Sequence, residues 1–82
     1  MHVFESMIDQ ITHKIEQELP GSRVEIKDPR KDGVHLEAYV IWAGFEGKSL
    51  IEQHKMVHKA LGPLLKEIHA LGIHTSLPAK EE

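Results

Sequence analysis

The chain of 82 residues has no cysteine. It can form no disulfide, no zinc–thiolate site and no thiol nucleophile, so any metal must be held by histidine, by carboxylate or by ligands that a partner brings. Aromatic side chains are scarce: Phe4, Tyr39, Trp42 and Phe45 are the full set, which leaves little for stacking on bases. No apolar run approaches the roughly 20 residues of a membrane-spanning helix. The opening MHVFESMIDQ lacks the basic-then-apolar pattern of a signal peptide, so a cytoplasmic protein with no membrane contact is expected. Ten Lys and Arg against 13 Asp and Glu give a formal net charge of −3, and the cations are scattered, with no basic stripe of the kind that sequence-independent DNA binding draws on. A phosphate-binding glycine loop and a supported Ser-His-Asp order are also missing, which weighs against an enzyme.

What is present is an ordered series of amphipathic segments within a length that suits one small domain, residues 1–82, with a polar tail from about 77 to 82. Phe4, Met7, Ile8, Ile11, Ile15 and Leu19 recur at helical spacing until Pro20-Gly21 stops them, predicting a first helix over 3–19. Val24 and Ile26 alternate with Arg23, Glu25 and Lys27 as a short strand, and DPRKDG turns the chain. A second strand is predicted over 34–43, with Val34, Leu36, Ala38, Val40 and Trp42 on the core face. After GFEGKS, Ser49 and Glu52 have capping-box spacing, so a helix should start at Ser49 and carry Leu50, His54, Val57 and Leu61 on one side. Pro63 suits the first position of a further helical turn through Lys66, and 68–75, IHALGIHT, reads as the third strand.

The order is αββααβ, an α+β fold with a three-stranded mixed sheet. The short loop makes strands one and two an antiparallel hairpin, and the helical crossover makes strand three parallel to strand two. Parallel neighbours begin at the same end of a sheet, so His35 and His69, each near the start of its strand, could face one opening; alternation leaves open whether they share a face.

These two are the candidate metal ligands among seven histidines. Two imidazoles can replace two thiolates on one iron of a 2Fe-2S centre, and with no thiolate of its own the chain could share such a cluster only inside a complex. His54 and His58 in HKMVH have the i, i+4 spacing of a metal grip, but no glutamate follows the first histidine as the zinc-protease motif requires. His54 is therefore read as a structural, semi-buried and hydrogen-bonded residue. His2 and His13 are read as surface residues, and His74 is given no role. GFEG fits the GxxG loop by which KH domains clamp a nucleic-acid backbone, yet it joins a strand to a helix and Glu46 would repel phosphate, so it reads as a turn.

The run GFEGKSLIEQHKMVHKALGPLLKEIHALGIHT resembles the signature region of the BolA family, through Phe45, Gly47, Lys48 and Ser49, then His54, Val57 and Leu61, then Ile68-His69-Ala70-Leu71. The αββααβ order is similar to that family's class II KH-like fold. The resemblance implies a partner of monothiol glutaredoxins, in a heterodimer bridging a 2Fe-2S cluster that the glutaredoxin cysteine and a glutathione thiolate also hold. It implies His69, in the IHAL motif, as one ligand, and His35, in GVHLE, as the second. Cluster trafficking or iron homeostasis follows as the expected role, with the free protein a monomer or weak homodimer. Neutral imidazole is the ligating form, so assembly should weaken below the range of roughly 6.5 where imidazole titrates. The alternative is a DNA-binding regulator that sets Lys48, Lys55 and Lys59 against phosphates. Here the chain departs from the family pattern, with Gln53 and Lys55 where many members carry arginine.

Overall fold

Ser6 sets the start of the first helix. In the computed structural model, which describes residues 6–79, the Ser6 hydroxyl accepts the Asp9 N–H at 3.2 Å, and the acidic Asp9 in the first turn complements the helix dipole. Helix α1 therefore spans Met7–Glu18; the expected beginning at Val3 and Phe4, like the last three residues of the polar tail, lies outside the described residues. Ile11, Ile15 and Leu19, one turn apart, form its buried stripe.

The sheet is β1 (Arg23–Lys27), β2 (His35–Ile41) and β3 (Ala70–Ser76), in the spatial order β1-β2-β3. As expected, β1 and β2 are antiparallel and β2 and β3 parallel, the latter in the register His35 with Ala70 through Ile41 with Ser76. Leu36, Ala38 and Val40 of β2 are buried against the helical layer. The alternate residues His35, Glu37 and Tyr39 lie on the other face, with Lys27 and Glu25 of β1 and Gly72 and His74 of β3 beside them.

Strand β2 is shorter than expected at both ends. At its start, the Asp32 carboxylate takes the Val34 N–H at 2.8 Å, so Val34 belongs to the turn. At its end, the Trp42 backbone N–H still donates to Ser76 O at 3.1 Å and its indole N–H to the Pro20 carbonyl at 2.9 Å, and a 3₁₀ turn, Ala43–Phe45, then takes the chain out of the sheet. Phe45 closes that turn with 1% of its surface exposed, meeting the Trp42 ring edge-on at 5.3 Å between centroids. Gly44 permits the close fold-back: a Cβ there would stand 2.5 Å from the Trp42 ring.

Helix α2 (Leu50–Leu61) starts with the predicted capping box, the Ser49 hydroxyl accepting from Glu52 N–H at 3.1 Å and Glu52 accepting from Ser49 N–H at 2.8 Å. The Ser49 N–H first, and the Ser49 side chain with it, hold the Glu52 carboxyl below the usual carboxylate range. Leu50 does not join the buried side: it is exposed, and the helix meets the core through Val57, Ala60 and Leu61. After Gly62, in the left-handed region at φ +56°, the expected further helical turn is a 3₁₀ helix, Gly62–Glu67, and β3 starts at Ala70, two residues later than the apolar run suggests.

Because Phe45 joins the β2–α2 turn to the core, Phe45→Ala should lower unfolding stability by about 3–5 kcal/mol. Urea denaturation read by Trp42 fluorescence checks this; a loss under 1 kcal/mol on the same scale would mean the ring is dispensable.

Candidate metal centre at the strand beginnings

The turn before β2 is organised by two carboxylates. Asp28 accepts the Gly33 N–H at 2.9 Å and the Asp32 N–H at 3.3 Å. Asp32 Oδ1 accepts from both Val34 N–H (2.8 Å) and His35 N–H (3.0 Å). Its other oxygen lies 2.9 Å from His35 Nδ1. The His35 ring bond comes first among the interactions that push the Asp32 carboxyl far below the usual carboxylate range, with the His35 and Val34 N–H groups adding to it.

That geometry selects a tautomer. An ionised carboxylate only accepts hydrogen bonds, so the hydrogen of the contact belongs to Nδ1, and a neutral His35 ring then keeps its lone pair on Nε2. A carboxylate holding one ring nitrogen while the other is left to a metal is the usual second-sphere arrangement of metal-binding histidines.

His69 sits in the bend between the 3₁₀ helix and β3, exposed. The next residue, Ala70, is the register partner of His35 and donates its N–H to Val34 O at 3.3 Å. The two candidate ligands are thus brought to one end of the sheet on adjacent strands, their backbones roughly 6 Å apart on ordinary strand spacing and rise. The bend interrupts the alternation of β3 just before Ala70, which is why strand periodicity could not assign His69 to a face. Among the described residues, no three His, Asp or Glu side chains converge as a self-sufficient metal site. Two imidazoles would fill half of one iron's four positions, so the pair could hold such a metal only beside ligands from elsewhere.

Beside His35 the open face of the sheet forms a cleft of about 360 Å³ lined by residues that include Arg30, His35, Glu37, Gly72 and His74, but not His69. His74, without a role on sequence grounds, is firmly placed here. Its ring stacks on Tyr39 at 4.4 Å and its Nε2 lies 3.0 Å from Glu37 Oε1, which also accepts the Tyr39 hydroxyl at 3.0 Å. That acceptor raises the Tyr39 phenol above its ordinary value. Asp32 and His74 are the site residues that sequence reasoning missed. The spacing D-G-x-H in the turn carried a signal for Asp32, and the parallel register with Tyr39 carried one for His74.

The remaining histidines and lysines are elsewhere. His54 is half-buried on α2, but the hydrogen bond expected of its ring is not made with another described residue; His58 and His13 are exposed. Lys48, Lys55 and Lys59 are all exposed, but Glu52 stands between the first two and Lys59 lies toward α1, beside Glu18. GFEG forms the 3₁₀ turn into Gly47, as a turn reading requires, and the helix-to-helix junction is Gly62-Pro63, where proline has no N–H to offer a phosphate.

No described helix is long and apolar enough to cross a membrane. The BolA-like protein family matches residues 5–80. Mouse BolA-like protein 2 is 32% identical over 72 residues, covering 85% of this chain and 84% of the relative. A solved BolA homologue from Coxiella burnetii has a TM-score of 0.73 at 38% identity, covering 83% of this chain and 86% of its own. The BolA domain of SufE1 from Arabidopsis thaliana has a TM-score of 0.75 at 29% identity, over 93% of this chain and 96% of that one. With the mixed sheet, the capped second helix and the family match over nearly all of its length, the chain belongs to the BolA family.

Proposed function

We propose that this protein is a non-enzymatic cytoplasmic adaptor that binds a monothiol glutaredoxin and contributes His69 and His35 to a bridging 2Fe-2S cluster, for cluster trafficking or iron homeostasis. The glutaredoxin cysteine and a glutathione thiolate supply the ligands this chain lacks. The observation that carries the reading is the Asp32–His35 bond, which leaves His35 Nε2 as the free nitrogen beside the strand that His69 precedes. Each neutral imidazole donates a lone pair to iron, and histidine in place of thiolate raises the cluster potential. Nucleic-acid regulation has less support, since Lys48, Lys55 and Lys59 form no continuous stripe and Glu52 interrupts them.

His69→Ala should convert the visible absorption and circular dichroism of the mixed cluster, assembled with glutaredoxin, glutathione, iron and sulfide, to those of the glutaredoxin homodimer. His35→Ala should have the smaller effect, loosening the cluster. An unchanged spectrum for His69→Ala would remove that residue from the ligand set. Because a protonated imidazole has no lone pair to give, acid should weaken the wild-type cluster, which absorption at the cluster bands followed on acidification checks.

Asp32→Asn keeps an acceptor for the turn but removes the charge that fixes the His35 tautomer. Cluster retention against a chelator should fall about 10- to 100-fold, the usual effect of removing such a partner, with the thermal midpoint nearly unchanged. Equal retention by wild type and variant would confine Asp32 to shaping the turn.

A further inference from the structure

The sheet order β1-β2-β3 leaves two free edges, and they differ in kind. β1, RVEIK, is short and charged at Arg23, Glu25 and Lys27, the usual protection of an edge strand against pairing with another chain. β3, ALGIHTS, is longer and has no Asp, Glu, Lys, Arg or Pro between Ala70 and Ser76. The Ala70 N–H donates to Val34 O, and Ser76 O accepts from the Trp42 N–H. Alternation along the strand then turns the N–H and C=O groups of Leu71, Ile73 and Thr75 to the open side. Among the described residues these backbone groups have no partner there.

Gly72 lies in the middle of this edge, on the open face, and the fold of a single chain does not require it. Its φ is not positive, and the register runs through it without a bulge. A Cβ there would meet only Glu37 at 3.6 Å and His74 at 3.8 Å, which is ordinary contact. A glycine inside a strand costs stability, and it often marks a place where another backbone comes close.

We propose that β3 pairs with β3 of a second copy, antiparallel across a two-fold axis at Ile73, so that two three-stranded sheets become one. This register sets Ile73 against Ile73, Leu71 against Thr75, Gly72 against His74 and Ala70 against Ser76. Every open backbone group of the strand is then satisfied, and no Asp, Glu, Lys or Arg meets its like. Gly72 and His74 form a pair without ladder bonds, where facing side chains are closest. The missing Cβ leaves room there for the imidazole of the other copy. On the helical side, the half-buried Leu71 and Ile73 gain neighbours across the seam. A union of β3 with β1 would instead go on adding copies, whereas the two-fold pairing closes. The pairing uses the backbone of β3 and does not depend on the cluster reading.

The test follows the full chain, without iron, from about micromolar to about millimolar concentration. Sedimentation velocity should pass from monomer to dimer and stop there. The Leu71, Ile73 and Thr75 amides should exchange with deuterium about tenfold more slowly at the top of the range. A mixture of ¹³C-labelled and unlabelled copies should show the α protons of Gly72 and His74 in contact between copies. Gly72→Ala should keep or raise the thermal midpoint, since its methyl fits within the chain, yet weaken the dimer about tenfold. A chain that stays monomeric throughout would overturn the proposal. So would protection confined to β1, growth beyond a dimer, or a dimer that Gly72→Ala leaves as tight as the wild type. Protection of the same amides by an extended synthetic peptide of alternating threonine and valine, with no self-association at any concentration, would give the edge to another protein and overturn it as well.

Discussion

The parallel ladder between β2 and β3 is the constraint from which the functional geometry follows. Had β3 run antiparallel to β2, His69 would stand at the far end of the sheet from His35. Parallel pairing requires a crossover, and α2 with the 3₁₀ helix after it supplies one while covering Leu36, Ala38 and Val40. One decision about strand direction thus sets the core, the position of the histidines and the separation of the two ends of the molecule. The open face is a by-product: with both helices on one side, His35, Glu37, Tyr39 and His74 are left facing outward.

Electrostatics does its main work in one turn. Asp28 and Asp32 satisfy four backbone N–H groups between them, and Asp32 has an oxygen left for a ring nitrogen. A small domain with a modest core has little stability to spare for holding a loop still. Accepting several backbone hydrogen bonds on two carboxylates is an economical way to do so, and Asp32 also orients the His35 ring.

Most of this architecture was legible in the residues. Leu36, Ala38 and Val40 alternate cleanly because a half-buried strand requires it, and Ser49 with Glu52 announced α2 because their side chains complete the helix's unpaired N–H groups. What failed to show did so for local reasons. Trp42 continues the alternation of β2 and packs against the core, but the 3₁₀ turn that begins at Ala43 ends the strand there, and no periodicity encodes that. Leu50 has the right spacing for the apolar side of α2, yet spacing does not tell how far along a helix the core extends. Asp32 and His74 act through partners fixed by turn geometry and by register, which appear only once the strands are aligned. That His35 and His69 lie at the same end of the sheet was legible because it depends only on strand direction, a property of topology.

The crossover also orders events in time. His35 and its Asp32 partner belong to a hairpin whose contacts are local, whereas His35 and Ala70 are 35 positions apart. Closing a long loop costs entropy before any contact repays it. The Asp32–His35 contact therefore needs only a local turn, whereas the approach of His69 needs the most distant pairing in the sheet. A chain in which His35 and His69 stand at one end of the sheet is one that has closed its longest pairing, so anything that required both residues would meet only completed molecules.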